Sequence, residues 1–179
     1  MPDPKSEPGL PEPWLRGTMR DLPAVLTAIL DALQLAAEDI DRWCARLTEA
    51  EIHARPSGLP SVAFHIRHIA RSMDRLLTYA EGHQLTSQQL AALKSEMDSH
   101  GSPQSIREEF QSSLENIAAR IHAFKSISLE LPRSVGRKSL PSTVGGLLVH
   151  IADHTQRHTG QTVTTAKLLL ATRPNRFGA

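Results

Sequence analysis

Two groups of histidines hold the residues of this chain best suited to chemistry. One is His65-Ile66-Arg67-His68, and the other is His150, His154 and His158 within Val149-His150-Ile151-Ala152-Asp153-His154-Thr155-Gln156-Arg157-His158. Residues four apart on a helix stand one above the other, one turn away. Two imidazoles stacked in this way can grip one metal ion. A third from another helix completes a three-ligand site with positions left open for water or substrate.

These histidines need helices to carry them, and the apolar pattern supplies four long ones. The first is expected from about Asp21 to Leu47, with Leu22, Leu26, Ile29, Leu33, Ala36, Ile40, Trp43 and Leu47 in steps of four and three. The second opens at Pro60-Ser61 with Ser61 as N-cap, turns Val62, Ile66, Ile69, Met73, Leu76 and Ala80 inward, and stops at Gly82. A short helix follows from Thr86, with Gln89 completing a capping box. The third long helix starts at Gly101-Ser102-Pro103 and carries Ile106, Phe110, Leu114, Ile117, Ile121 and Phe124. Pro132 to Pro141 is expected as a loop, and the fourth long helix runs from near Ser142 to about Ala171. No strand is expected, because the weak alternation from Ser126 to Leu131 has nothing to pair with. The expected fold is all-α: a four-helix bundle with a short extra helix between the second and third long helices. Residues 1–20 read as a flexible lead-in, 21–172 as the bundle and 173–179 as a tail.

Projection of the fourth helix puts His158 near the middle of its apolar side, His154 and Gln161 toward one edge, and His150 at the boundary. Burying such polar groups costs free energy unless they find partners, and a metal ion would supply one. The plainer alternative is a set of core histidines bonded to neighbours and water. His150 and His158 stand about 12 Å apart along the axis, too far to share one ion whose bonds are near 2 Å. The pair is therefore His150 with His154 or His154 with His158, and the projection favours the second. On the second helix the projection slightly prefers His65 to His68. Ser72, Arg75 and Tyr79 share the side of His65 and His68; they are expected at the surface or boundary, with the cavity of the histidines as the alternative. His53, His83, His100 and His122 are expected to be solvated, Cys44 to pack beside Trp43, and Asp153 to face water.

Composition narrows the remaining classes. The chain has 179 residues with 20 basic and 19 acidic side chains, a formal net charge of +1. That balance gives no electrostatic case for nucleic acid or an anionic membrane. A single cysteine permits no internal disulfide and suits a cytoplasmic setting. No apolar run approaches the roughly 20 residues needed to span a membrane. The absence of His-Glu-x-x-His argues against a zincin protease, and that of Glu-x-x-His against a ferritin-like di-iron site.

Ser61-Val62-Ala63-Phe64-His65-Ile66-Arg67-His68-Ile69-Ala70 resembles the second-helix motif of the DinB-like superfamily, in which a helix opening on Ser carries a ligand His about two turns later. His154-Thr155-Gln156-Arg157-His158-Thr159-Gly160-Gln161 resembles the last-helix motif of the same family, His-x-x-x-His-Arg-Gly-Gln. The resemblance covers roughly residues 20–172 and implies His68, His154 and His158 as metal ligands at one end of a four-helix bundle. It departs at Thr159, where the family often has Arg. It implies a likeness to metal-dependent hydrolases and to bacterial thiol-dependent S-transferases and isomerases, and a homodimer. Leu30, Leu148 and Leu170, outside a single apolar stripe, point the same way.

The expected function is therefore that of a metal-dependent enzyme, hydrolase or thiol S-transferase. Nitrogen ligands suit zinc or nickel, and such an ion lowers the pKa of a water or thiol. The substrate is a small molecule, with a low-molecular-weight thiol as the expected co-reactant. His65 and His150, each about one turn before a ligand, are candidates for supporting or proton-transfer roles. The alternative is a non-catalytic helical binding or stress-response module whose histidines are structural.

Overall fold

Local signals set most of the element boundaries in the computed structural model, which describes residues 10–17, 21–97 and 100–173. The helices are α1 (Ala24–Cys44), α2 (Glu49–His53), α3 (Val62–Ala80), α4 (Ser87–Lys94), α5 (Pro103–His122) and α6 (Val144–Ala171). A two-stranded sheet, β1 (Pro132–Val135) and β2 (Leu140–Thr143), precedes α6. Ser61 caps α3 by accepting a hydrogen bond from the Phe64 amide at 3.1 Å. Thr86 and Gln89 close the capping box of α4, and Ser102 caps α5 with Pro103 in its first turn. A second capping box, Thr48 with Glu51, starts the short α2, which the apolar pattern did not announce. Of the expected lead-in and tail, residues 1–9, 18–20 and 174–179 lie outside the described residues. Pro13–Leu15 form a 3-10 turn, and the Arg16 guanidinium donates to both carboxylate oxygens of Glu38 on α1, at 2.6 and 2.9 Å.

The molecule is mostly helical. Helix α6 packs against α1 and α3, and α5 packs against α3 and α1, so the four long helices enclose one core. Leu26, Ile40, Ile66, Ile69, Met73, Leu77, Ile106, Ile117, Ile121, Leu148 and Ile151 are almost fully buried in it. Leu30 and Leu148 are buried in this core and Leu170 is half-buried against it, so these leucines form no exposed apolar patch that would motivate a homodimer.

The segment expected as a loop is instead a β-hairpin. Pro132 pairs with Thr143, Arg133 with Ser142, Ser134 with Pro141 and Val135 with Leu140, antiparallel. Each strand contains a proline, which cannot donate to a ladder and so argued against a strand. A two-stranded ribbon consists of edges only, where proline is tolerated. Gly136, at φ +69°, and Ser139, at φ +48°, turn the chain between the strands. As a result α6 begins at Val144 rather than near Ser142, with Thr143 as N-cap accepting from the Gly146 amide at 3.0 Å.

The Ser61 cap orients the helix that carries His65 and His68. Ser61→Ala should lower stability by about 0.5–2 kcal/mol, the range measured for lost N-caps, read as the shift in urea midpoint. An unchanged midpoint would show that the cap bond carries no net stability.

Candidate functional site

Helices α3 and α6 bring histidines from both sequence groups together. His68 from α3 meets His154 and His158 from α6, and the three rings offer nitrogens that lie within 4.8 Å of one another. The Nε2 atoms of His68 and His154 are 2.9 Å apart. The ring centre of His158 lies 4.4 Å from that of His68 and 4.6 Å from that of His154. All three rings are half-buried. The ring of Phe64 stacks on His68 at 5.4 Å, covering one of its faces.

The other expected site histidines take different places. His65 is buried, and its Nδ1 lies 3.0 Å from Nδ1 of His158, so one ring donates and the other accepts. His150 is exposed and lies 3.6 Å from the Asp153 carboxylate; its ring is 5.5 Å from His154, with no hydrogen bond between them. Thr159, the departure from the family motif, is buried, with its hydroxyl donating to the Thr155 carbonyl at 2.8 Å. His53 is not fully solvated as expected: it is half-buried, and its Nε2 donates to the Gly101 carbonyl at 2.8 Å. Cys44 is fully buried, and burial pushes its thiol up to about 12, which suits packing rather than nucleophilic attack. Asp153 is exposed and accepts from Arg157 at 3.0 Å.

One functional side chain has no signal in the sequence. Glu96, in the turn after α4, is 4 % exposed and reaches the far side of His68. Nδ1–H of His68 donates to Oε2 of Glu96 at 2.7 Å, and the Arg75 guanidinium donates to Oε1 at 2.6 Å. Ser72, Arg75 and Tyr79 were expected at the surface or boundary. Ser72 and Tyr79 are buried, while Arg75 is half-buried and is the charge partner of Glu96. Burial alone would raise the Glu96 carboxyl, but its hydrogen bonds from His68 and Arg75 outweigh that, so it is held below the ordinary carboxylate range. A carboxylate facing His68 Nδ1 fixes a proton there and turns Nε2 toward His154.

Burial and neighbouring positive charge disfavour the protonated forms of His65, His154 and His158. Desolvation, with His158 and His68 nearby, lowers His65 to about 4. Desolvation, with His158, His68, His150 and Arg157 nearby, lowers His154 to about 4. His158 is lowered by burial and by the neighbouring His68 and Arg157. Neutral imidazoles are the protonation state that metal ligation needs. Beside them lies a cleft of about 450 Å³ bordered by Leu59, Pro60, His65, Arg157, Gln161 and Thr164. His65 thus stands between this cleft and His158.

The family model of the DinB superfamily matches residues 32–162, and the chain belongs to that superfamily. In fold the chain is similar to the crystal structure of a conserved protein from Enterococcus faecalis, with a TM-score of 0.58 at 24% identity over 83% of this chain and 98% of that one. No curated protein matches the chain. Among the described residues no helix is long and apolar enough to cross a membrane.

The lowered histidines make acid stability a direct readout of the cluster. Histidines of the unfolded chain protonate near pH 6.5, whereas His65 and His154 do so at about 4 in the fold. Between these values the unfolded chain binds more protons, so stability is full above about pH 6.5 and is lost as pH falls toward 4. The urea midpoint of metal-free protein should therefore drop steadily from pH 7 to pH 4.5. A flat midpoint over that window would contradict the buried, neutral state of these rings.

Proposed function

We propose that the chain is a metal-dependent enzyme, of hydrolase or thiol S-transferase type, built on a four-helix bundle with His68, His154 and His158 as ligands of one divalent ion. The convergence of these three nitrogens within 4.8 Å carries the reading. Tetrahedral ligands at about 2.0–2.1 Å from an ion lie about 3.4 Å apart, a spacing that small ring rotations reach from here. The donor set fits as well: three imidazole nitrogens suit zinc or nickel. Three protein ligands leave room for further groups, which is the pattern of catalytic rather than closed structural sites.

When bound, the ion supplies Lewis acidity, which polarises a substrate and lowers the pKa of a water or thiol. The chain's own residues do the rest. Glu96 keeps the His68 proton on Nδ1. His65, neutral and bonded to His158, borders the neighbouring cleft, where it is placed to pass a proton between a bound small molecule and the cluster. Leu59 and Pro60 offer that molecule an apolar wall, and Arg157, Gln161 and Thr164 a polar one.

Zinc and nickel titration of tag-free protein, with circular dichroism to verify folding, tests the ligand set. His68→Ala, His154→Ala and His158→Ala should each reduce affinity by at least about 100-fold, beyond the roughly 10–100-fold typical of residues that only support a ligand. His150→Ala, which loses only an exposed contact, should bind within about threefold of the parent. Parent-like binding by His154→Ala would overturn the site. Loss of metal on His65→Ala with retention on His68→Ala would move the α3 ligand to His65.

A further inference from the structure

Helix α4 is attached to the rest of the molecule in an unusual way. It buries none of its side chains, and Leu90 and Leu93 remain 37% and 43% exposed. What holds it is a polar strip along one face of α3. Gln89 donates to Asp74 at 2.7 Å and to the Thr78 hydroxyl at 2.8 Å. Arg71 donates to the Ala92 carbonyl at 2.9 Å and to the Ser95 hydroxyl at 3.1 Å. The strip ends at Glu96, whose carboxylate takes Arg75 on one oxygen and His68 on the other. Behind the helix, between α3, α4 and α5, lies a cleft of about 400 Å³ bordered by Arg71, Asp74, Arg75, Gln89, Glu109 and Ser113. The arm from Ser87 to Met97 is therefore docked by directional bonds, and one of them ends on a histidine of the cluster.

We propose that Glu96 is a positioning residue for His68, and that through this bond occupancy of the histidine cluster is coupled to docking of the α4 arm. The inference rests on the reading of His68, His154 and His158 as metal ligands. A buried carboxylate is costly unless it is paired. Glu96 meets that cost with two charge-assisted bonds, one of which fixes the His68 ring and raises its basicity. A cation on the opposite nitrogen makes the Nδ1–H a stronger donor, so the same bond tightens when the cluster is loaded. Coupling of two binding events is reciprocal. Whatever factor the docked carboxylate adds to metal affinity, the metal adds to arm docking. Carboxylates that orient a ligand histidine contribute about 10–100-fold to affinity, and the arm should gain the same factor.

The test is a pair of measurements on the full chain with Zn²⁺ as the probe: affinity by competition with a chromophoric chelator, and hydrogen exchange of residues 87–97 with and without the ion. In the parent, Zn²⁺ should slow exchange in this segment by about 10–100-fold. Glu96→Gln, which keeps the shape and removes the charge, should bind Zn²⁺ about 10–100-fold more weakly and lose the Zn²⁺-dependent protection. Glu96→Asp, which keeps the charge on a shorter side chain, should recover part of both, and it carries the test if Glu96→Gln loses its helical circular dichroism. Failure of the parent to bind Zn²⁺ would overturn the ligand reading and this inference with it. A parent that binds Zn²⁺ while Glu96→Gln binds equally well, or while residues 87–97 exchange at one rate with and without the ion, would overturn the coupling and leave the ligand set standing.

Discussion

The packing of α3 against α6 is the constraint on which the rest of the structure depends. His154 and His158 lie one turn apart on α6, and their third companion has to come from another helix. Ile66 and Ile69 flank His68 on α3, and Ile151 lies one turn before Thr155 on α6; all three isoleucines are buried without measurable exposure. The apolar contacts that fold the protein thus also fix the separation of the imidazoles. Several threonines of α6 serve the same end: Thr159 and Thr162 are buried, with hydroxyls that bond back to carbonyls of their own helix at 2.8 Å, filling the core without asking for outside partners.

Holding neutral imidazoles and one ionised carboxylate beside an apolar core has a stability cost in the metal-free protein. The arrangement limits that cost by hydrogen-bond pairing. His68 is bonded to Glu96, Glu96 to Arg75, and His65 to His158. The network has one fixed anion, placed behind His68, and no anion of its own in the centre of the cluster. A divalent cation held there would find ring nitrogens in front and compensating charge behind, which is the polarity a ligand site needs.

The helical part of the fold was legible because its signals are local. The caps at Ser61, Thr86 and Ser102 and the stripes of three and four are written within a turn of where they act. The site was legible only in part. Helical projection measures angle around an axis, and by angle His65 lies closer to the apolar side of α3 than His68. The structure brings His68 to His154 because it lies about 4.5 Å further along the axis, at the level of the α6 pair, while His65 sits lower and meets His158. Glu96 was invisible because it contacts His68 across 28 residues of sequence from a turn without periodicity. Arg75 lies at the boundary as its helical position implies, but its partner Glu96 is not on its own helix and so leaves no mark in the pattern of α3. The hairpin before α6 was hidden by Pro132 and Pro141, which look like loop residues until the ribbon is seen to have no interior strand.

Membership of the DinB superfamily and the convergence of His68, His154 and His158 point to one central claim, that three imidazoles from two helices hold a single ion. X-ray absorption at the metal edge of the zinc-loaded, tag-free protein tests it most directly, because the outer shells of an imidazole ring give a signature that water and carboxylate lack. The predicted spectrum has nitrogen or oxygen neighbours at about 2.0–2.1 Å, with outer-shell scattering that fits three imidazoles at one ion per chain. A spectrum fitted by oxygen neighbours with one imidazole or none would contradict it.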